Sequence, residues 1–289
     1  MYKIIASDLD GTLLNGEKKI SDFTQQVLMN EQKSGKTVIL ASGRYKKEVL
    51  RYAEQLELSK NHGWIVCGNG YEVTNMATQQ VKTFTSIQPN EAKKLCDIAK
   101  ELGLSQYVKI HGNYHLTISD MKIKGLQRAN QMVKWMQRHG LKRLRYTTHL
   151  LDETKFIETM EDVLDEPIVK IALIGTPKRL ASFEKIIKNK YLDQYAIYYI
   201  NPLSLEITNK DVSKKNAVAY ICEQIGCTLN DVIAFGDSGN DEPLLKSAGI
   251  GYTMKNGTKK ALSQANLITE FSNEKDGVAK TLLKITHHE

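Results

Sequence analysis

The chain has 289 residues, of which 41% are hydrophobic and 25% charged, and it carries a formal net charge of +7. That is an ordinary globular composition, long enough for two domains or one large one, with no run near the roughly eighteen consecutive apolar residues of a membrane span. The early acids Asp8 and Asp10 leave no signal-peptide apolar region, so a cytosolic protein with no membrane partner is expected.

In chain order, residues 3–7 (KIIAS) read as a first strand, and the segment from Asp22, an N-cap after Ser21, places Val27 and Leu28 at helical spacing and stops at Gly35. Residues 37–42 (TVILAS) are a second apolar run bounded by Gly43, residues 45–58 a second helix, and residues 63–70 (GWIVCGNG) a third strand ending in a glycine-rich turn. Strand alternating with helix predicts a parallel sheet with right-handed crossovers. Pro89 marks entry into a different texture, with amphipathic helices at 90–103 and 126–140 set among the short strands YVKIHG, YHLTIS, IVKIALIG and AIYYI. Residues 201–226 and 231–254 return to strand, polar turn and helix. The expected architecture is α/β: a Rossmann-like parallel-sheet core built from residues 1–84 and 201–289, with an α+β cap domain, 85–200, inserted at an exposed loop.

Ligands of open parallel sheets collect beyond the carboxyl ends of the strands. By that rule Asp8 and Asp10, then Ser42 and Gly43, then Asp237, Asn240 and Asp241 converge on one rim. Side chains at i and i+2 of a continuing strand share a face, so Asp8 and Asp10 can address one site while Leu9 turns to the core. Carboxylates from two strand ends suit a hard, oxygen-seeking cation such as Mg²⁺, and the absence of His and Cys from these stretches argues against zinc. A metal-bound carboxylate lends itself to attack on phosphorus. Ser42 and the Gly43 amide at a strand-to-helix turn, with Lys214 or Lys215 opening a helix, can hold phosphate. The cysteines Cys67, Cys96, Cys222 and Cys227 form no CxxC pair and read as reduced thiols. The densest basic group, Lys134, Arg138, Lys142, Arg143 and Arg145, reads as a solvated helix face, so no nucleic-acid partner is expected. His111, Tyr114, His115 and Lys170 of the insertion are better read as half-buried strand residues than as site residues.

The ordered set DLDGTLL (8–14), LASGR (40–44), VSKKNAV (212–218) and GDSGNDEPLL (236–245) resembles the haloacid dehalogenase-like hydrolases, specifically the Cof-type sugar-phosphatase branch with a large cap after the third strand. CGNG (67–70), SLEIT (204–208) and SNEKDGVAKTLLK (272–284) extend the likeness over nearly the whole chain. The resemblance implies a Mg²⁺-dependent phosphatase of small phosphorylated metabolites, sugar phosphates or nucleotide and cofactor phosphates, working through an aspartyl-phosphate as a monomer or weak homodimer. It gives Asp8 the role of nucleophile and Asp10 that of acid/base. It assigns the metal to Asp8, the Asp10 backbone carbonyl, Asp237 and, in support, Asp241, and it puts Leu9, Ser42, Gly43, Lys214 and Asn240 at phosphate. For those roles Asp10 would carry a raised pKa and Asp8 would stay ionised. Lys215 stands where glycine is usual, and the register after Val212 and Ser213 favours Lys214. A phosphotransferring mutase and a phosphorylatable receiver share the acidic motif; the large insertion disfavours the second, and no acceptor signature supports the first.

Overall fold

The computed structural model describes residues 2–110, 113–117, 154–157, 168–191 and 194–286. By internal packing it divides into two compact units, residues 1–85, 198–201 and 210–289 in one, and 86–197 with 202–209 in the other.

The first unit is built on an eight-stranded sheet. Its strands are β1 (Ile4–Ser7), β2 (Thr37–Ala41), β3 (Trp64–Cys67), β4 (Glu72–Asn75), β5 (Val81–Thr83), β12 (Val232–Gly236), β13 (Ile250–Thr253) and β14 (Leu267–Ile268), in the order β14-β13-β12-β1-β2-β3-β4-β5. From β14 to β3 neighbours run parallel, while β4 and β5 add an antiparallel edge that the strand-helix alternation does not foretell. The chain winds outward from β1 to β3, then restarts at β12 on the other side of β1. The switch in strand order therefore falls between β1 and β12.

Helices cover both faces because the central strands are apolar at nearly every position, Ser7 ending β1 and Thr37 opening β2 being the polar exceptions. In β1, Ile5 packs with Val27 and Leu28 of α1 (Asp22–Lys33), Val49, Tyr52 and Ala53 of α2 (Lys46–Gln55), and Val278 and Leu282 near the C-terminus. Ile4 and Ala6, one residue either side, pack on the opposite face with Ala217, Val218 and Ile221. This pleat fixes register, since a one-residue slip would exchange the faces. Ser21, not Asp22, caps α1, accepting from the Thr24 amide, and Asp22 opens the helix.

A six-stranded sheet in the order β10-β11-β9-β6-β7-β8 belongs to the second unit except for residues 198–201 of β10. These strands are β6 (Ser105–Ile110), β7 (Asn113–Thr117), β8 (Thr154–Ile157), β9 (Ile168–Ile174), β10 (Tyr195–Asn201) and β11 (Ser204–Asn209), with α3 (Pro89–Glu101) ahead of β6 and α4 (Pro177–Tyr191) between β9 and β10. Residues 204–209, placed in the core by the sequence reading that begins it at 201, run antiparallel to β9 instead. An apolar β run does not say which of two sheets it will join. Lys170 of β9 pairs with Glu206 of β11, and Tyr114 and His115 lie on β7. His111, the helix expected at 126–140 and the basic group from Lys134 to Arg145 lie outside the described residues. All four cysteines are free thiols, three of them buried.

Candidate active site

The two acids of the opening motif have separate surroundings. β1 ends at Ser7, so the i, i+2 rule of a continuing strand does not govern Asp8 and Asp10. Asp8 is 7% exposed and donates its amide to the Phe235 carbonyl of β12 at 3.0 Å. Its Oδ1 accepts from Lys214 Nζ at 2.5 Å, and the same ammonium reaches Asp241 Oδ1 at 2.5 Å. Lys214 opens α5 (Lys214–Gln224), whose N-cap Ser213 accepts from the Asn216 amide. Lys214 is only 1% exposed, whereas Lys215, on the other side of the helix start, is half-buried. Thus the structure brings Lys214 to Asp8.

The turn after β12 is organised by Asp241, whose Oδ2 accepts from the Asp237 and Ser238 amides, each at 3.0 Å. Gly236 is required there, because a Cβ on it would lie 2.3 Å from Asp241 Cβ. Ser238 Oγ donates to Asn240 Oδ1 at 2.6 Å, and Asn240 Nδ2 donates to Asn69 Oδ1 at 3.0 Å. Asn69 lies in the glycine-rich turn Gly68–Gly70 after β3, fully buried. That turn presses on the lysine helix: at Gly70, with φ 109°, a Cβ would meet the Ser213 carbonyl oxygen at 2.3 Å.

Asp10 faces other partners. Arg44 forks onto it, Nε to Oδ2 at 2.5 Å and Nη2 to Oδ1 at 2.7 Å, and Lys18 Nζ donates to Oδ1 at 2.7 Å. The loop that presents Lys18 is closed by Asn15, whose side chain accepts from the Glu17 and Lys19 amides. Ser42 follows β2, buried, with its amide on the Val66 carbonyl and its Oγ accepting from the Arg44 amide at 3.2 Å. Gly43 stands beside it, half-buried, in the turn into α2. Leu9 is fully buried in the core, so only its backbone can serve the rim.

The electrostatics reverse the sequence expectation. Burial pushes the Asp8 carboxyl up to about 7, with the Asp241 charge adding to the rise and Lys214 opposing it. Asp237 is raised to about 8 by burial and by the charges of Asp8 and Asp241. Burial also pushes Asp10 upward, but Arg44 and Lys18 outweigh it and hold the carboxyl at about 2. The expected raised Asp10 and ionised Asp8 are therefore exchanged in the metal-free protein: desolvation dominates where three acids share one ammonium, and ion pairing dominates where two cations share one acid.

Carboxylate oxygens of Asp8, Asp237 and Asp241 lie within 4.8 Å of one another, the one such cluster among the described residues. An all-oxygen set of that compactness fits a hard divalent cation such as Mg²⁺. Arg44, Lys18 and Asn69 are the members that sequence reasoning gave no role. Arg44 stands inside the LASGR motif and Asn69 inside CGNG, which were their signals, while Lys18 reaches the rim only through its loop.

Residues 5–282 match the family model of the haloacid dehalogenase-like hydrolases. A Streptococcus pyogenes protein, provisionally named a phosphatase, is 27% identical over 285 residues, 98% of this chain and 97% of its own. A Bacillus subtilis protein named 5-amino-6-(5-phospho-D-ribitylamino)uracil phosphatase is 27% identical over 280 residues, 97% of this chain and 94% of its own. The solved structure of a haloacid dehalogenase-like hydrolase from the same bacterium has a TM-score of 0.79 to this chain at 20% identity, covering 97% of this chain and 99% of that one, a likeness of fold.

Proposed function

The chain belongs to the haloacid dehalogenase-like hydrolases and is a phosphatase, and from that membership we propose that it hydrolyses phosphomonoesters of small metabolites with Mg²⁺, through a phosphorylated Asp8. Sugar phosphates and nucleotide or cofactor phosphates are the substrate class, in keeping with the ribityl phosphate named for the Bacillus subtilis relative. The observation that carries the reading is the seat of Asp8: a buried carboxylate at the switch point of the sheet, 2.5 Å from Lys214 and clustered with Asp237 and Asp241.

Asp8 attacks phosphorus, the new bond joins its Oδ to the phosphoryl group, and the bond to the leaving oxygen breaks. Asp10, held ionised by Arg44 and Lys18, takes a proton from the substrate phosphate monoanion and passes it to the leaving oxygen. It then takes a proton from the water that attacks the aspartyl-phosphate; the bond from Asp8 Oδ to phosphorus breaks, and Asp10 returns the proton to the departing inorganic phosphate, so that both acids end ionised. Ser42, Gly43, Lys214, Asn240 and the Leu9 backbone hold the phosphoryl oxygens. Asp8, Asp237 and Asp241, with the Asp10 backbone carbonyl, would hold Mg²⁺, which when bound supplies positive charge against the ionised Asp8 and the phosphoryl group. Residues 86–197 and 202–209 act as the cap that brings substrate contacts. The reading includes a cytosolic location and a monomer or weak homodimer.

Asp8→Asn is the test. The variant is expected to keep its circular dichroism and to lose hydrolysis of a generic aryl phosphate, together with the phosphoryl adduct on the Asp8 peptide in acid-quenched wild type. Retained turnover would overturn the assignment of the nucleophile.

A further inference from the structure

Between β13 and the short helix α7 (Lys259–Ser263) the chain passes through Met254, Lys255, Asn256, Gly257 and Thr258. This loop is tied to the acid-bearing turns at both strand ends. Toward β12, the Met254 amide donates to the Gly236 carbonyl and the Thr258 amide to the Asp237 carbonyl, each at 2.8 Å. Toward β1, Asn256 Nδ2 donates to the Gly11 carbonyl at 2.7 Å, while its Oδ1 accepts from the Asn273 amide at 2.9 Å. Asn273 in turn donates from Nδ2 to the Leu14 carbonyl at 2.8 Å.

The two ends of this link meet at one carboxylate. Gly11 has φ 78°, and a Cβ there would lie 2.5 Å from Asp237 Oδ2, so the turn after Asp10 lies directly against the Asp237 side chain. The loop itself runs close: a Cβ on Gly257 would be 2.9 Å from the Met254 carbonyl oxygen and 3.1 Å from that of Asp237. An amide side chain carries both a donor and an acceptor, so the single side chain of Asn256 bridges the Gly11 carbonyl to the Asn273 amide. Asn256 is exposed and absent from the motifs that mark the site, yet both its polar ends are spent on backbone near the acids.

We propose that Asn256 is a positioning residue for the metal cluster: with residues 254–258 it staples the turn after Asp8 and Asp10 to the turn bearing Asp237, and so fixes the distance between their ligand atoms. The inference rests on the proposed metal-binding role of that cluster. Groups that orient ligands are typically worth ten- to a hundredfold in metal affinity. Gly11 sits next to the Asp10 carbonyl in the chain, so loss of its hydrogen bond frees the peptide on the ligand side.

The experiment measures binding, not turnover, with Mn²⁺ as a paramagnetic stand-in for Mg²⁺. Free Mn²⁺ is titrated by electron paramagnetic resonance against wild type and Asn256→Ala. The expected result is a Kd about tenfold or more higher in the variant, with the melting temperature in chelator close to wild type. Equal Mn²⁺ affinity would overturn the inference, as would a lowered melting temperature with unchanged affinity, the mark of a merely structural role. If the variant does not fold, hydrogen exchange on wild type decides the matter. Coupling is reciprocal, so Mn²⁺ is expected to increase protection of residues 254–258 as well as 8–16, and protection confined to 8–16 overturns the staple. Wild-type protein that takes up no Mn²⁺ would overturn the metal reading and this inference with it; wild-type uptake matched by Asn256→Ala overturns the staple alone.

Discussion

The metal-free protein is expected to lose stability as pH rises from 5 to 8, and Mg²⁺ to restore it only at the upper end. Asp8 moves from an ordinary 3.8 to about 7 and Asp237 from 3.8 to about 8, both through burial first. A carboxyl raised in the folded state keeps a proton that the unfolded chain gives up, so stability falls as pH rises through that interval and levels off above it. The slope is about 1.4 kcal/mol per pH unit and flattens near the folded value, so the Asp8 proton alone removes about 2 kcal/mol between pH 5 and 7, a sizeable part of the 5–15 kcal/mol typical of a folded domain. Asp10 does not mask the effect: held at about 2, its contribution is complete above pH 4 and is lost only below. Mg²⁺ binds the ionised acids, so at a hundred times its Kd it adds about 2.7 kcal/mol at pH 8 and less at pH 5, where protons compete. The assay is the urea midpoint at both pH values, in Mg²⁺ and in chelator. A metal-free midpoint that is flat or rises with pH would refute the reasoning, as would equal stabilisation by Mg²⁺ at both.

Lys214→Met leaves the Asp8, Asp237 and Asp241 carboxylates without the ammonium that two of them bond, and is expected to destabilise the metal-free protein by about 3–5 kcal/mol at pH 8; Lys215→Met should stay within about 0.5 kcal/mol by the same urea titration. Arg44→Ala removes both arms of the fork on Asp10, so the carboxyl should rise from about 2 toward the ordinary range. The acidic limb of the kcat/KM profile with pH is then expected to move upward, and a limb that stays in place would separate Asp10 from the rate.

Much of this arrangement was legible in the chain. Strands buried on both faces, such as β1 and β12, are apolar at nearly every position, and acids right after them, Asp8 and Asp237, mark the rim whatever the details of the loops. Pairings set by three-dimensional return paths were not legible. Nothing near Asp10 in sequence announces Arg44 as its partner, and Lys18 reaches it only because Asn15 closes the intervening loop and Lys18 itself takes a left-handed φ of 59°. Residues 204–209 were misplaced for the same reason, since strand propensity is local and sheet membership is not. The exchanged titration of Asp8 and Asp10 follows too: pKa reports neighbours in space, and two acids separated by one residue can have opposite surroundings.

Charge counting ties these features together. When ionised, Asp8, Asp237 and Asp241 carry three negative charges in a buried cluster, and Lys214, bonded to two of them, carries one positive. The remainder is minus two, which the metal-free protein relieves by keeping protons on Asp8 and Asp237, the groups whose carboxyls are raised. A divalent cation would bring the same sum to zero without protons and, in the proposed reading, leave Asp8 ionised for attack at neutral pH. Asp10 stands outside this balance, its charge already met by Arg44 and Lys18. In the proposed reading the metal requirement belongs to the Asp8 cluster, and Asp10, proposed as the proton carrier, is tuned by its own cations independently of it.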